Sequence, residues 1–162
     1  MGKVDASAIE FAFCDYNNPT HLRSLARLIS LYMADPMGEA EPLSKLQQLR
    51  LVDGLNCNEK ADVVFAIYEN QAVGLVTIFE NFSTFKAKPF INLHDIIVEP
   101  PFRGKGIGKL LLQKVIEIAQ ERKCCKVTLE VREDNVKAQT LYIDEGFNNT
   151  SPKMFYWTKY LE

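Results

Sequence analysis

The chain has 162 residues, 47% of them hydrophobic and 25% charged, which fits one compact domain with a single core. Nineteen Lys and Arg against twenty-one Asp and Glu give a net charge of -2, so no global positive field recruits nucleic acid. No apolar run approaches the roughly 20 residues of a membrane-spanning helix, and Met1-Gly2-Lys3-Val4-Asp5-Ala6 lacks the hydrophobic core of a signal peptide, so a cytoplasmic protein without a membrane partner is expected.

Ile9 to Phe13 alternates apolar and polar as a half-buried strand does, and Asn17-Asn18-Pro19-Thr20 then offers a helix cap. Leu22, Leu25, Ala26, Leu28, Ile29 and Tyr32 recur at helical spacing until Asp35-Pro36-Met37-Gly38 stops them. Glu39 to Glu41 reads as an acidic loop, and a shorter helix is expected from about Leu43 to Val52. Val63 to Tyr68 and Ala72 to Phe79, joined by Glu69-Asn70-Gln71, read as a hairpin. A further strand, Phe90 to Val98, follows Pro89 and ends at Pro100-Pro101. From Gly106 to about Arg122, Ile107, Leu110, Leu111, Val115, Ile118 and Ala119 form one apolar helical stripe.

Cys124 and Cys125 read as buried thiols opening the strand Val127 to Val131. Asp134-Asn135 begins a helix to about Glu145, Gly146 ends it, and Phe155 to Thr158 is expected as a last strand. With no internal repeat and no linker, residues 1–162 read as a single mixed α/β domain. The four cysteines, Cys14, Cys57, Cys124 and Cys125, lack paired C-x-x-C spacing, and His21 and His94 lie far apart, so no metal site is expected.

The chemistry concentrates at Arg103-Gly104-Lys105-Gly106-Ile107-Gly108-Lys109, where a strand, two prolines and a glycine-rich turn lead into an amphipathic helix. A helix start exposes unpaired N–H groups and a partial positive charge, and glycines keep side chains out of a phosphate's way. Arg103, Lys105 and Lys109 add formal charge, and an arginine can grip phosphate oxygens in a bidentate way. The bland alternative is a tight turn on a basic surface. The phosphate loop of nucleotide hydrolases is absent, and from Gly104 and Gly106 the dinucleotide fingerprint would need its third glycine at Lys109, which disfavours nucleoside triphosphates and NAD.

Arg103-x-x-Gly106-x-Gly108 resembles the Arg/Gln-x-x-Gly-x-Gly/Ala signature of the GNAT superfamily of acyl-CoA N-acyltransferases. Asn135-x-x-Ala138-x-x-Leu141-Tyr142-x-x-x-Gly146-Phe147 is similar to the downstream GNAT segment. The two together cover about Leu93 to Phe147. This resemblance implies a GNAT-like mixed central sheet flanked by helices, with a splay between the strands Ile91–Val98 and Val127–Val131. It also implies acetyl-CoA as cosubstrate and a small-molecule primary amine as acceptor. The backbone of Ile97 and Val98 would face the pantetheine arm, Arg103 to Lys109 would wrap the pyrophosphate, and Asn135 would touch the coenzyme.

Acetyl transfer needs a neutral amine, and a lysine-like amine with an ordinary pKa near 10.4 pays about 4.6 kcal/mol for deprotonation at neutral pH. A general base or a deprotonating pocket is required. His94 and Asp95 are adjacent on their strand, so alternation sends them to opposite faces and only one can face the notch. His94 is the first candidate base, Glu130 the second if burial lifts its pKa, and Asp95 the third. Tyr142 is the candidate acid for the departing thiolate.

The stretch around Phe82 to Lys86 and Asn92 to Ile96 is similar to spermidine/spermine and thialysine acetyltransferases, which carry a glutamate where His94 stands. That departure weighs against a polyamine acceptor. Three alternatives stay open: a coenzyme-binding regulator without turnover, an acetyltransferase of protein or peptide amines, and an interaction module suggested by the aromatics Phe82 and Phe85, which equally suit an acceptor cleft or a homodimer interface.

Overall fold

The computed structural model describes residues 6–36, 38 and 40–161. The readings made on Met1–Asp5 and on Glu39 fall outside these. The chain divides into two compact units, one ending at Glu130 and the other starting at Val131.

In the first unit the elements run β1 (Glu10–Phe13), α1 (Pro19–Met33), α2 (Lys45–Asn56), β2 (Ala61–Tyr68), β3 (Gln71–Ser83), β4 (Lys88–Val98), α3 (Ile107–Glu121) and β5 (Val127–Leu129). The sheet order is β1-β2-β3-β4-β5, antiparallel except for the parallel β4–β5 pair. This is the mixed α/β arrangement expected. Asn18 caps α1 by accepting from Thr20 N at 2.9 Å, with Pro19 in the first turn. α2 starts later and ends later than expected, because Ser44 and Gln47 close a reciprocal capping box at its start and the helix continues through Gly54.

Register separates the two faces of the sheet, since cross-strand partners point the same way. Ala61, Val63, Phe65, Leu75 and Ile97 pack with Leu25, Leu28 and Ile29 of α1 and Leu55 of α2 in one buried cluster. Val64, Val76 and Gly74 belong to the opposite face, where a side-chain carbon on Gly74 would stand 3.2 Å from Leu111 of α3. α3 buries Ile107, Leu111, Leu112, Val115, Ile118 and Ala119, the stripe read from its periodicity except that Leu112 is buried and Leu110 only half-buried. Among the described residues no helix is long and apolar enough to cross a membrane.

In the second unit Asn135 caps α4 (Val136–Asp144), its Oδ1 accepting from Ala138 N at 3.2 Å. Gly146 ends the helix with φ +87°, a conformation side chains rarely adopt. The expected last strand is not there: Phe155 to Thr158 belongs to no strand, and Phe155 and Trp157 are 79% and 86% exposed. Alternation marks a segment able to pair, but a strand exists only where another backbone completes its ladder, and no such pairing is made among the described residues.

Candidate active site

The turn after β4 is shaped by glycines and opens onto free space. Pro100–Phe102 forms one 3-10 turn, and Gly104 and Gly106 then adopt left-handed conformations with φ +74° and +83°. An added side chain at either glycine would meet nothing within 4 Å, so the backbone conformation demands glycine and open space lies in front of it. Gly106 is the N-cap of α3 and has no side chain to satisfy the first turn. The helix ladder begins with Leu110 N donating to Gly106 O at 3.1 Å, which places the N–H groups of Ile107, Gly108 and Lys109 ahead of it. Glycine conformation, open space and leading N–H groups together fit a pyrophosphate.

The basic side chains of the turn are more committed than expected. Arg103 Nε donates to Val98 O at 2.8 Å, and its Nη1 pairs with Asp35 Oδ2 at 2.7 Å. Lys105 Nζ lies over the Phe102 ring, 5.2 Å from its centroid. Ile97 is 3% exposed, its side chain in the core, so what it offers a ligand is backbone.

β4 pairs with β5 only over Ile91–Val127, Asn92–Thr128 and Leu93–Leu129. β4 runs on to Val98 while β5 ends at Leu129, so the two part after three pairs. β5 is shorter than the expected Val127–Val131, and Glu130 lies just beyond its end rather than on it.

His94, Asp95 and Glu130 lie where β4 and β5 part, in an arrangement that alternation did not predict. Thr77 pairs with Asp95 and Ile78 with Leu93, leaving His94 as the extra residue of a β-bulge. Leu93 and Asp95, two residues apart, therefore lie on opposite faces. His94 meets the Phe79 ring edge-on at 5.4 Å and 85°, and Phe79 packs against the α1/α2 core cluster. The expectation that only one of His94 and Asp95 can face the notch is thus corrected: the bulge turns both to the α1/α2 face.

Burial raises the Asp95 pKa, and the adjacent His94 and the Thr77 hydroxyl pull it back down. Thr77 is 2% exposed, and its hydroxyl reaches no partner within strict hydrogen-bond geometry, so its contact with Asp95 is a loose one. Asn92 pairs with Phe79 and so shares this face; its Nδ2 donates to Thr128 Oγ1 at 3.3 Å and to Glu130 Oε1 at 3.4 Å. Glu130 is exposed, so the expected burial is absent. Sequence reasoning missed Asn92 and Thr77 as parts of this cluster. A lone hydroxyl between Val76 and Ile78 in an apolar strand was the available signal for Thr77.

Tyr142 lies in the second unit, 7% exposed, its ring 6.1 Å from that of Phe147. Asn135 Oδ1 is engaged in capping α4, which leaves its Nδ2 to offer a ligand. Cys124 and Cys125 are half-buried rather than fully buried. Burial first, then Glu80, raises the Cys124 thiol, and burial with Asp15 pushes Cys14 up to about 11, so neither favours a nucleophilic thiolate. Among the described residues no three His, Cys, Asp or Glu side chains gather in a metal-binding group.

The family model for the Acetyltransferase (GNAT) family matches residues 25–147, more than half of the chain. An uncharacterized N-acetyltransferase of Archaeoglobus fulgidus is 36% identical over 88 residues, 54% of this chain and 60% of that protein. The thialysine N-epsilon-acetyltransferase of Bos taurus is 39% identical over 70 residues, 43% of this chain and 41% of that protein. The matches thus span less than two thirds of either relative. A solved structure described as a probable acetyltransferase superposes with a TM-score of 0.79 at 21% identity, over 95% of this chain and 98% of that one, which establishes likeness of fold. With the family match running from α1 through the glycine turn to Phe147, the chain belongs to the GNAT family of acetyltransferases.

Proposed function

We propose that residues 1–162 act as one N-acetyltransferase domain that moves an acetyl group from acetyl-CoA to a primary amine of a small molecule, directly and within a ternary complex. The observation that carries this reading is the Gly104–Gly106 turn, whose left-handed backbone opens onto free space at the start of α3. The thialysine acetyltransferase relative supports a small-molecule amine as acceptor.

Acetyl-CoA supplies an activated thioester carbonyl. The turn holds its diphosphate by backbone N–H groups, and the edge of β4 beyond Leu93, released by β5, offers backbone to the pantetheine arm. The acceptor nitrogen must lose a proton to attack. His94 is the base of choice because it is exposed on the bulge, next to Asp95. As the new C–N bond forms and the C–S bond breaks, the electron pair goes to sulfur, and the Tyr142 hydroxyl donates the proton that leaves a neutral thiol. Asn92 holds Glu130 on the same face, where it attracts the acceptor's positive charge before deprotonation.

Calorimetry tests the coenzyme half of this reading. Coenzyme A should bind more tightly than pantetheine, which lacks the phosphates. Gly106→Val, which forces a branched side chain into φ +83°, should weaken coenzyme A by roughly tenfold or more while pantetheine changes little. Equal affinity for the two ligands would remove the phosphate site from the glycine turn.

A further inference from the structure

Arg103 opens the glycine turn, yet its guanidinium is turned back into the protein. Nε reaches Val98 O at 2.8 Å, the last carbonyl of β4, and Nη1 reaches Asp35 Oδ2 at 2.7 Å, just beyond the end of α1. Asp35 has only 15% of its side chain exposed and Arg103 40%, so this bridge is partly shielded from water. A second bridge runs the same way: Arg27 of α1 pairs with Glu99 and donates to Ala72 O at 2.7 Å. Glu99 is 8% exposed, and its N–H donates to Val73 O at 2.9 Å. Between the two bridges the Phe102 ring meets the Tyr68 ring at 6.0 Å and lies under Lys105. α1 and Asp35 just after it therefore hold the segment from Glu99 to Arg103 at both ends.

We propose that Arg103 is a positioning residue and that Asp35 is its working partner. The Asp35–Arg103–Val98 bridge fixes the shape in which the turn from Gly104 to Gly108 presents its backbone N–H groups, and the arginine does not itself grip phosphate. This rests on the reading of the turn as the coenzyme site. A planar guanidinium is needed because one side chain must reach a carbonyl and a carboxylate at once, in two directions.

The two roles for Arg103 predict opposite signs. If Asp35 and Arg103 work as one bridge, Asp35→Asn and Arg103→Ala should each weaken coenzyme A binding by a similar factor, roughly tenfold. The double variant should be no weaker than either, and Arg103→Lys should fail to rescue. Pantetheine affinity should stay constant across the series, which general loss of structure would not allow. If Arg103 instead grips phosphate and Asp35 merely competes for it, Asp35→Asn should tighten coenzyme A, and Arg103→Lys should keep most of the affinity. Calorimetry on the full chain with coenzyme A and pantetheine, with thermal melting of each variant as the folding control, separates these outcomes. Tighter binding in Asp35→Asn overturns the bridge alone. Failure of the unsubstituted chain to prefer coenzyme A over pantetheine overturns the site reading and the bridge with it. Should Asp35→Asn not fold, the Arg103→Lys result decides.

Discussion

Tyr142→Phe is expected to lower turnover about 10²–10⁴-fold while leaving coenzyme A affinity unchanged. The substitution keeps the ring, which is 7% exposed and packs beside Phe147, so the fold of α4 and its glycine-terminated end should persist. What it removes is the hydroxyl, and a departing thiolate without a proton donor must leave as an anion in a site meant to neutralise it. The pH-independent loss should shrink with an acyl donor whose thiol has a lower pKa, because such a thiol leaves without help. Near-normal turnover with the ordinary donor would make Tyr142 a packing residue of the second unit.

His94→Ala should cost a comparable factor, about 10²–10⁴-fold, concentrated on the rising limb of the pH profile. A base acts only when deprotonated, so turnover rises with pH through the base's own titration and levels above it. With His94 as base, His94→Ala removes that limb and Glu130→Gln leaves it. With Glu130 as base, the two variants exchange outcomes. Asp95 gives a third signature: because burial raises its pKa, a limb due to Asp95 would sit above the usual carboxylate range, survive both substitutions and vanish in Asp95→Asn. The acceptor's own titration mimics any of these, so the profile must be repeated with an amine of lower pKa. A limb that follows the amine and ignores all three substitutions would mean that the pocket, not a side-chain base, lowers the amine's pKa.

The helical elements were legible because their signals are local. Asn18 with Pro19 marks the start of α1, Gly146 marks the end of α4, and the stripe from Ile107 to Ala119 needs no knowledge of its partners. The glycine turn was legible for the same reason, since its positive φ values follow from residues next to each other. The bulge at His94 was not, because it exists only in the register between β3 and β4: Thr77–Asp95 and Ile78–Leu93 are pairings between strands, and a single strand read alone shows only alternation. The bridge from Asp35 to Arg103 was hidden likewise, by distance along the chain. Both surprises concern the site and not the core, for the site is where contacts between elements override the local pattern. Phe155 to Thr158 makes the converse point, a locally convincing strand pattern without a ladder to join.

Acetyl transfer to an amine is tested most directly by counting both products of one reaction. The full chain is incubated with acetyl-CoA and a panel of primary amines: lysine-like amino acids, polyamines, amino sugars and a peptide N-terminus. Free coenzyme A thiol and acetylated amine are then measured together. A small-molecule amine is expected for which the two appear in equal amounts, with Tyr142→Phe suppressing both. Tight coenzyme A binding with no acetylated product from any small-molecule amine would contradict this expectation, and product only from the peptide would move the acceptor to proteins.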